Sequence, residues 1–260
     1  MPVHVSREGR VAIVVMDRPE ARNAMNREMT EQLEVIYDQL AADESIWAVV
    51  LTGAGDRAFC AGQDLKELET RTRSTETAEA PRRLTGGFGG IARRDFPKPI
   101  IAAVNGFAMG GGFEICLACD LVVAEEHASF GLPEVKRGLF AAGGGVVRLG
   151  NRLPLPLAME VVLTGEPLSA RRAYELGLVN RVVPTGEGVH AAVELANTIC
   201  QAAPLAVRLS KRMVRAAVSR GEEELWALQG ELGAELRQSE DYLEGPRAFI
   251  EKRAPQWKGR

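Results

Sequence analysis

An α/β fold is predicted by three features of the sequence. Short, uniformly apolar runs read as strands covered on both faces, helix-periodic segments lie between them, and from about Val189 the pattern becomes wholly helical. Two strand-like runs open the chain, the second being Val11-Ala-Ile-Val-Val-Met16. Met29, Leu33, Ile36 and Leu40 then follow a helical spacing, with Asn26 placed to cap the first turn. Trp47-Ala-Val-Val-Leu-Thr52, Pro99-Ile-Ile-Ala-Ala-Val104 and Leu121-Val-Val-Ala124 supply further buried strands. The helical tail comprises Val189, Val193, Ala196 and Cys200, a segment started by Pro204, and Leu225, Leu228, Leu232 and Leu236. Strand spacing is irregular, so a solenoid or propeller is not expected. Residues 69–90 are polar and end in Gly86-Gly-Phe-Gly-Gly90. A mobile stretch is expected there, as a substrate lid or as plain disorder.

The balance of charge narrows the partners. With 32 Lys and Arg against 35 Asp and Glu the 260-residue chain carries a net charge of −3, which removes any strong electrostatic argument for nucleic acid or an anionic membrane as the main partner. Hydrophobic residues at 46% and charged residues at 26% suit a globular protein with a substantial core. Asp17, Glu114 and Asp120 interrupt the greasiest stretches, so no membrane span is expected, and the opening residues lack an apolar signal core. A cytoplasmic protein is the expectation. Cys60, Cys116, Cys119 and Cys200 are too scattered for a disulfide framework, and the C-x-x-C pair sits in an apolar stretch that suits core residues better than redox chemistry. His4, His127 and His190 stand apart, so no protein metal site is expected.

Gly53-Ala-Gly55-Asp-Arg-Ala58 follows a strand and formally fits a dinucleotide fingerprint, but no amphipathic helix opens behind it. More informative is Asn105-Gly-Phe-Ala-Met-Gly110-Gly111-Gly112-Phe-Glu114, where three glycines join a strand to a helix. Glycines there admit a ligand to the backbone, and unpaired N–H groups at a helix start form an anion site; close strand–helix packing would equally explain them. Glu114 lies in the first turn of that helix and Glu134 in Phe130-Gly-Leu-Pro-Glu134. Each alone suits a helix N-terminus. Together, beside a backbone donor pair, they suit acid/base work at a carbon next to a carbonyl.

Several motifs in order resemble the enoyl-CoA hydratase/isomerase (crotonase) family over nearly the whole chain. They are Asp17-Arg-Pro-x-x-x-Asn-Ala24, Ala58-Phe-Cys-Ala-Gly-Gln-Asp64, Pro99-x-x-Ala-Ala-x-Asn-Gly106 leading to Gly110-Gly-Gly112, Phe130-Gly-x-Pro-Glu134, Gly143-Gly144 with Arg148-Leu149, and Ala158-Met-Glu-x-x-Leu-Thr-Gly165. The resemblance implies a spiral of β-β-α units over residues 1–195. It implies a C-terminal helical region over 196–260 that supports trimers or hexamers and completes the coenzyme A site. It implies an acyl-CoA thioester substrate, a hydro-lyase activity in fatty-acid or related acyl-CoA catabolism, and no separate cofactor, coenzyme A being part of the substrate.

The resemblance also assigns roles. The backbone N–H groups of Gln63 and Gly111 form an oxyanion hole for the thioester oxygen, a device whose single donors are worth about 10²–10³ in rate. Glu114 and Glu134 fall on the two hydratase glutamates, with Glu134 delivering a proton to C2 and the other activating water. Coenzyme A is expected near Arg22, Ala24, Ala61, Gly62, Asp64 and Gly110, with Lys252 reaching a neighbouring subunit's nucleotide. After Glu134 the chain runs Gly138-Leu-Phe-Ala-Ala-Gly-Gly-Gly145, without the proline of many relatives and with Phe140 nearby, so an altered acyl pocket is expected. Three alternatives stay open: a Δ3,Δ2-enoyl-CoA isomerase or other family lyase; a catalytically silent thioester-binding homologue; and a nucleic-acid surface on Arg208, Lys211, Arg212 and Arg215.

Overall fold

The computed structural model describes residues 1–67, 69 and 84–260. Strands β1 (Val3–Glu8) and β2 (Val11–Met16) form an antiparallel hairpin, turning at Gly9 in the left-handed region (φ +55). Three strand pairs follow: β3 (Ala48–Gly53) with β4 (Ala58–Cys60), β5 (Ile100–Val104) with β6 (Phe107–Met109), and β7 (Leu121–Glu125) with β8 (Ser129–Gly131). The first member of each pair joins a six-stranded sheet that β10 (Arg181–Val183) completes; the second joins a four-stranded sheet with β9 (Leu168–Ser169). The orders are β1-β2-β3-β5-β7-β10 and β4-β6-β8-β9. Each pair thus advances one step along both sheets, which is the spiral of β-β-α units that the sequence leads one to expect.

Burial on both faces explains why the central strands are uniformly apolar. Val49, Leu51, Ile100, Ala102 and Val104 face the main core. Their neighbours Ala48, Val50, Ile101 and Ala103 face a second core closed by Ala191, Ala192, Val193 and Ala196. Helix α1 (Arg27–Ala42) starts where expected, with the Asn26 side chain accepting the Met29 N–H at 2.9 Å, and buries Leu33, Tyr37 and Leu40. Helix α2 (Gly111–Ala118) is buried at every position, so its sequence carries no amphipathic period. Then come α3 (Gly145–Arg152), α4 (Leu155–Thr164), α5 (Ala170–Glu175), α6 (Gly188–Cys200), α7 (Pro204–Ala217), α8 (Glu222–Arg237) and α9 (Glu240–Ile250).

Two sequence expectations meet a different structure. The division between residues 195 and 196 falls inside α6, whose Ala191, Ala192, Val193 and Ala196 belong to the second core. The separate helical cluster, built on Leu205, Leu209, Leu228 and Leu232, begins with α7. The mobile stretch expected over 69–90 does not extend to its last glycines. The Glu34 carboxylate accepts the Thr85 N–H at 2.9 Å and its hydroxyl at 2.7 Å, and Gly89 and Gly90 are buried. Residues 70–83 of that stretch lie outside the described residues.

Helix α7 is tied to the main body through Asp120, which pairs with Lys211 at 2.7 Å and Arg215 at 2.7 Å while also accepting the Ile100 N–H at 2.8 Å. Two of the four cations considered for nucleic acid are therefore turned inward. Among the described residues, no helix is long and apolar enough to cross a membrane.

Candidate active site

The α2 start is built from glycine for steric reasons. A Cβ at Gly112 would lie 2.0 Å from the Cys60 carbonyl oxygen, and one at Gly111 would lie 2.2 Å from the Phe88 ring. Gly110 itself adopts φ 54, ψ −124, which side chains disfavour. The result brings two loops edge to edge. A Cβ at Gly62 would meet the Met109 carbonyl oxygen at 2.8 Å and the Gly111 nitrogen at 3.3 Å. Neither the Gln63 nor the Gly111 N–H donates to an acceptor among the described residues. Gly111 opens α2, so its N–H carries the positive end of the helix dipole as well.

Of the residues expected from the sequence to hold coenzyme A, Arg22, Ala24, Ala61, Gly62 and Asp64 form one ledge beside these donors. Arg22 and Asn23 are both left-handed (φ 54), which turns the chain so that the Ala61 N–H reaches the Arg22 carbonyl at 3.0 Å. The Met25 N–H then reaches the Gly62 carbonyl at 2.8 Å, and the Asp64 N–H the Met25 carbonyl at 2.9 Å. Arg18, not singled out from sequence, clamps the ledge: it donates to the Ala24 carbonyl at 2.6 Å and to the Asp64 carboxylate at 3.0 Å. Burial alone would push the Asp64 carboxyl up, but the bonds from Arg18 and from backbone N–H groups hold it below its ordinary value. Asn23 and Asn105 brace the neighbouring turn by donating to the carbonyls of Ala54, Ala58, Gly53 and Gly55. That turn carries the dinucleotide-like glycines and runs directly into β4, with no helix behind it.

Both glutamates approach the glycine turn from different elements. Glu114 is 4% exposed and projects from the first turn of α2; its Oε1 accepts the Gly145 N–H at 2.8 Å. Glu134 comes from a 3-10 turn (Pro133–Arg137), and a Cβ at Gly110 would stand 3.1 Å from its Oε1. Burial, and then the charge of Glu134, raise the Glu114 carboxyl above its ordinary value against the pull of the Gly145 and Gly143 N–H groups and Arg148. Burial likewise raises Glu134, whose Oε2 is enclosed without a hydrogen-bond partner among the described residues.

The environments differ in kind. Glu114 is surrounded by donors, which suit a carboxylate; the lone Oε2 of Glu134 suits a neutral acid.

Elsewhere the residues do other work. Lys252 sits left-handed (φ 54) after α9, its N–H donating to the Phe249 carbonyl at 3.2 Å, and no hydrogen bond or ion pair among the described residues joins it to the ledge. Phe140 is 67% exposed, its ring standing largely in solvent. Cys116 and Cys119 are buried, and burial pushes the Cys119 thiol up to about 12, as befits core residues. Among the described residues no group of His, Cys, Asp and Glu could hold a metal. A cavity of about 980 Å³ between β1 and α1, lined by Val3, Val5, Val35, Glu31 and Asp38, includes neither Glu114 nor Glu134.

The model of the enoyl-CoA hydratase/isomerase family matches residues 6–260. The chain belongs to the enoyl-CoA hydratase/isomerase family. Within this family it is 41% identical over 265 residues to the carnitinyl-CoA dehydratase of Proteus mirabilis, covering 99% of this chain and 98% of the relative. An enoyl-CoA hydratase structure from Mycobacterium tuberculosis superposes with a TM-score of 0.91 at 40% identity, covering 100% of this chain and 99% of that one. A carnitinyl-CoA hydratase structure from Mycobacterium avium does so with a TM-score of 0.78 at 47% identity, over the same shares. Family membership makes the protein an enzyme of the hydro-lyase type acting on acyl-CoA, as the sequence led one to expect. Phe88, Arg18, Gly145 and Arg148 are site neighbours to which the sequence assigned no role; the Asp17-Arg-Pro motif, the glycines around Phe88 and the Gly143-Gly144…Arg148 motif signalled them.

Proposed function

We propose that the protein catalyses the reversible syn addition of water to a trans-2-enoyl-CoA thioester. The observation that carries this reading is the approach of two glutamates, one bonded to the Gly145 N–H and one with an enclosed Oε2 that has no partner among the described residues, to a helix start whose N–H is likewise unpaired among them. The thioester oxygen accepts from the Gln63 and Gly111 N–H groups, so that charge developing on it meets fixed donors. Glu114 takes a proton from water as the water oxygen bonds to C3. The C2–C3 π electrons move into the thioester as an enolate, which then takes a proton at C2 from Glu134. No separate cofactor enters this sequence. The ledge of Arg22, Ala24, Ala61, Gly62 and Asp64 holds coenzyme A, with Lys252 contributing from an adjacent subunit. The exposed apolar Leu243, Phe249 and Ile250 of α9 support a trimer or hexamer.

A second reading runs the same proton transfers in the direction of dehydration on a carnitinyl thioester. It is favoured by the 41% and 47% identities to relatives named for that compound. A panel of short, long, branched and trimethylammonium-bearing enoyl- and 3-hydroxyacyl-CoAs, followed by mass spectrometry, decides between them. Gain of one water by a simple enoyl thioester, abolished in Glu134→Gln, supports hydration. Turnover confined to the trimethylammonium substrate supports the second reading, and double-bond movement without mass change refutes both in favour of an isomerase.

A further inference from the structure

The turn at residues 143–145 is shaped around one carboxylate. A Cβ at Gly143 would lie 2.4 Å from Glu114 Oε2 and one at Gly145 would lie 3.0 Å from Oε1, while the Gly145 N–H donates to Oε1 at 2.8 Å. Nothing larger than glycine leaves room for the acid. A turn without side chains has little of its own to hold it, and Gly144 at its centre is left-handed (φ 103). One side chain braces it from behind. Arg148, half-buried in the first turn of α3, donates through Nη1 to the Gly143 carbonyl at 3.4 Å and through Nη2 to the Ala92 carbonyl. Its guanidinium is so close that a Cβ at Gly144 would stand 2.1 Å from Nη1.

We propose that Arg148 is a positioning residue for Glu114, its fork joining the 143–145 turn to residue 92 and its charge facing the carboxylate across that turn. The inference rests on the reading of Glu114 as an acting acid or base. Arg148 touches no reacting atom in this scheme.

The charges around it are specific. Arg215 from α7, Arg152 from its own helix, Glu114 from α2 and the Cys119 thiol act on Arg148, and burial with the two arginines pulls its pKa down. Arg215 is itself neutralised by Asp120, which Lys211 also pairs. Glu114 in turn meets Glu134, whose charge raises it, and Arg148, whose charge lowers it. Removing Arg148 therefore leaves burial and Glu134 less opposed, and the Glu114 carboxyl moves up.

The test uses full-length Arg148→Met, Arg148→Lys and Glu114→Gln, with kcat and KM for trans-2-butenoyl-CoA (or the substrate found active above) measured across pH and folding checked by circular dichroism. Arg148→Met is expected to lower kcat about 10²-fold, as a misplacement of order 1 Å does, with KM nearly unchanged. Its acid limb moves to higher pH. Arg148→Lys keeps the charge without the planar fork, so its limb stays in place while kcat still falls. A fall in kcat with an unmoved limb in Arg148→Met marks a purely structural role and overturns the proposal. Native kcat in either variant overturns it as well. If Arg148→Met does not fold, the Arg148→Lys result decides. Unimpaired turnover in Glu114→Gln would instead sink the reading of Glu114, whatever Arg148 does.

Discussion

Adding one methyl group at residue 111 tests the steric argument and the oxyanion argument together. Alanine keeps the N–H, and Gly111 lies in a helical turn outside the left-handed region, so only the new carbon is on trial. That carbon would sit 2.2 Å from Phe88 Cε1 and 2.3 Å from Cζ. Carbon atoms pack at about 3.5–4.0 Å, so ring and helix start must separate by roughly 1.3 Å or more. Overpacking of this kind costs about 1–3 kcal/mol of stability. If the helix gives way, its donor moves by a comparable distance and turnover falls about 10²-fold. Phe88→Ala removes the obstruction. In the double variant Gly111→Ala/Phe88→Ala the methyl group should do less harm, with a compensating coupling of at least about 0.5 kcal/mol in urea denaturation and partial return of kcat. Native stability and kcat in Gly111→Ala, or an undiminished loss in the Phe88→Ala background, would refute the reasoning.

Stability should depend on pH through Glu134, whose raised carboxyl makes the folded state bind its proton more tightly than the unfolded chain, with an ordinary value of 4.5. Its contribution is complete below that value and is lost as pH rises through the folded value. Glu134→Gln should therefore gain in melting temperature relative to the unsubstituted protein from acidic toward neutral pH, and a constant difference would contradict the burial argument. Asp120→Ala removes the shared counter-ion of Lys211 and Arg215, leaving them only the Lys98 and Ala118 carbonyls, and should cost about 3–5 kcal/mol in urea unfolding; a change below about 1 kcal/mol would mean that α7 is held otherwise. Asp64→Asn weakens the clamp from Arg18, so the Kd for coenzyme A should rise while kcat changes little, as isothermal titration and steady-state kinetics would read.

What could be read without coordinates follows a physical division. Strand runs such as Trp47-Ala-Val-Val-Leu-Thr52 were legible because burial on both faces removes polar residues from them, and the observed β3 (Ala48–Gly53) departs by a single residue at each end. The α1 start was legible because its capping bond lies within four residues of sequence. The three-residue strands β4, β6 and β8 left no such trace, since so short a segment has no period to detect. The expected boundary at residue 195 falls within α6, which reads as a helix like those after it, while only the sheet's second face reveals that its alanines pack on the core.

By itself the sequence determined the α/β class and the family motifs, because glycines and carboxylates in fixed local order record constraints on the nearby backbone. Only the tertiary structure decided which residues act on one another. Gly143 and Gly145 enclose Glu114 from 31 residues away in the case of the observed hydrogen bond, and Arg148 reaches Ala92 across 56. Phe88 lies over Gly111, and Glu134 reaches Gly110 while its other oxygen has no partner among the described residues. Donors, desolvation and like charge act through space over a few ångströms, and the chain brings such groups together only when the two sheets have closed.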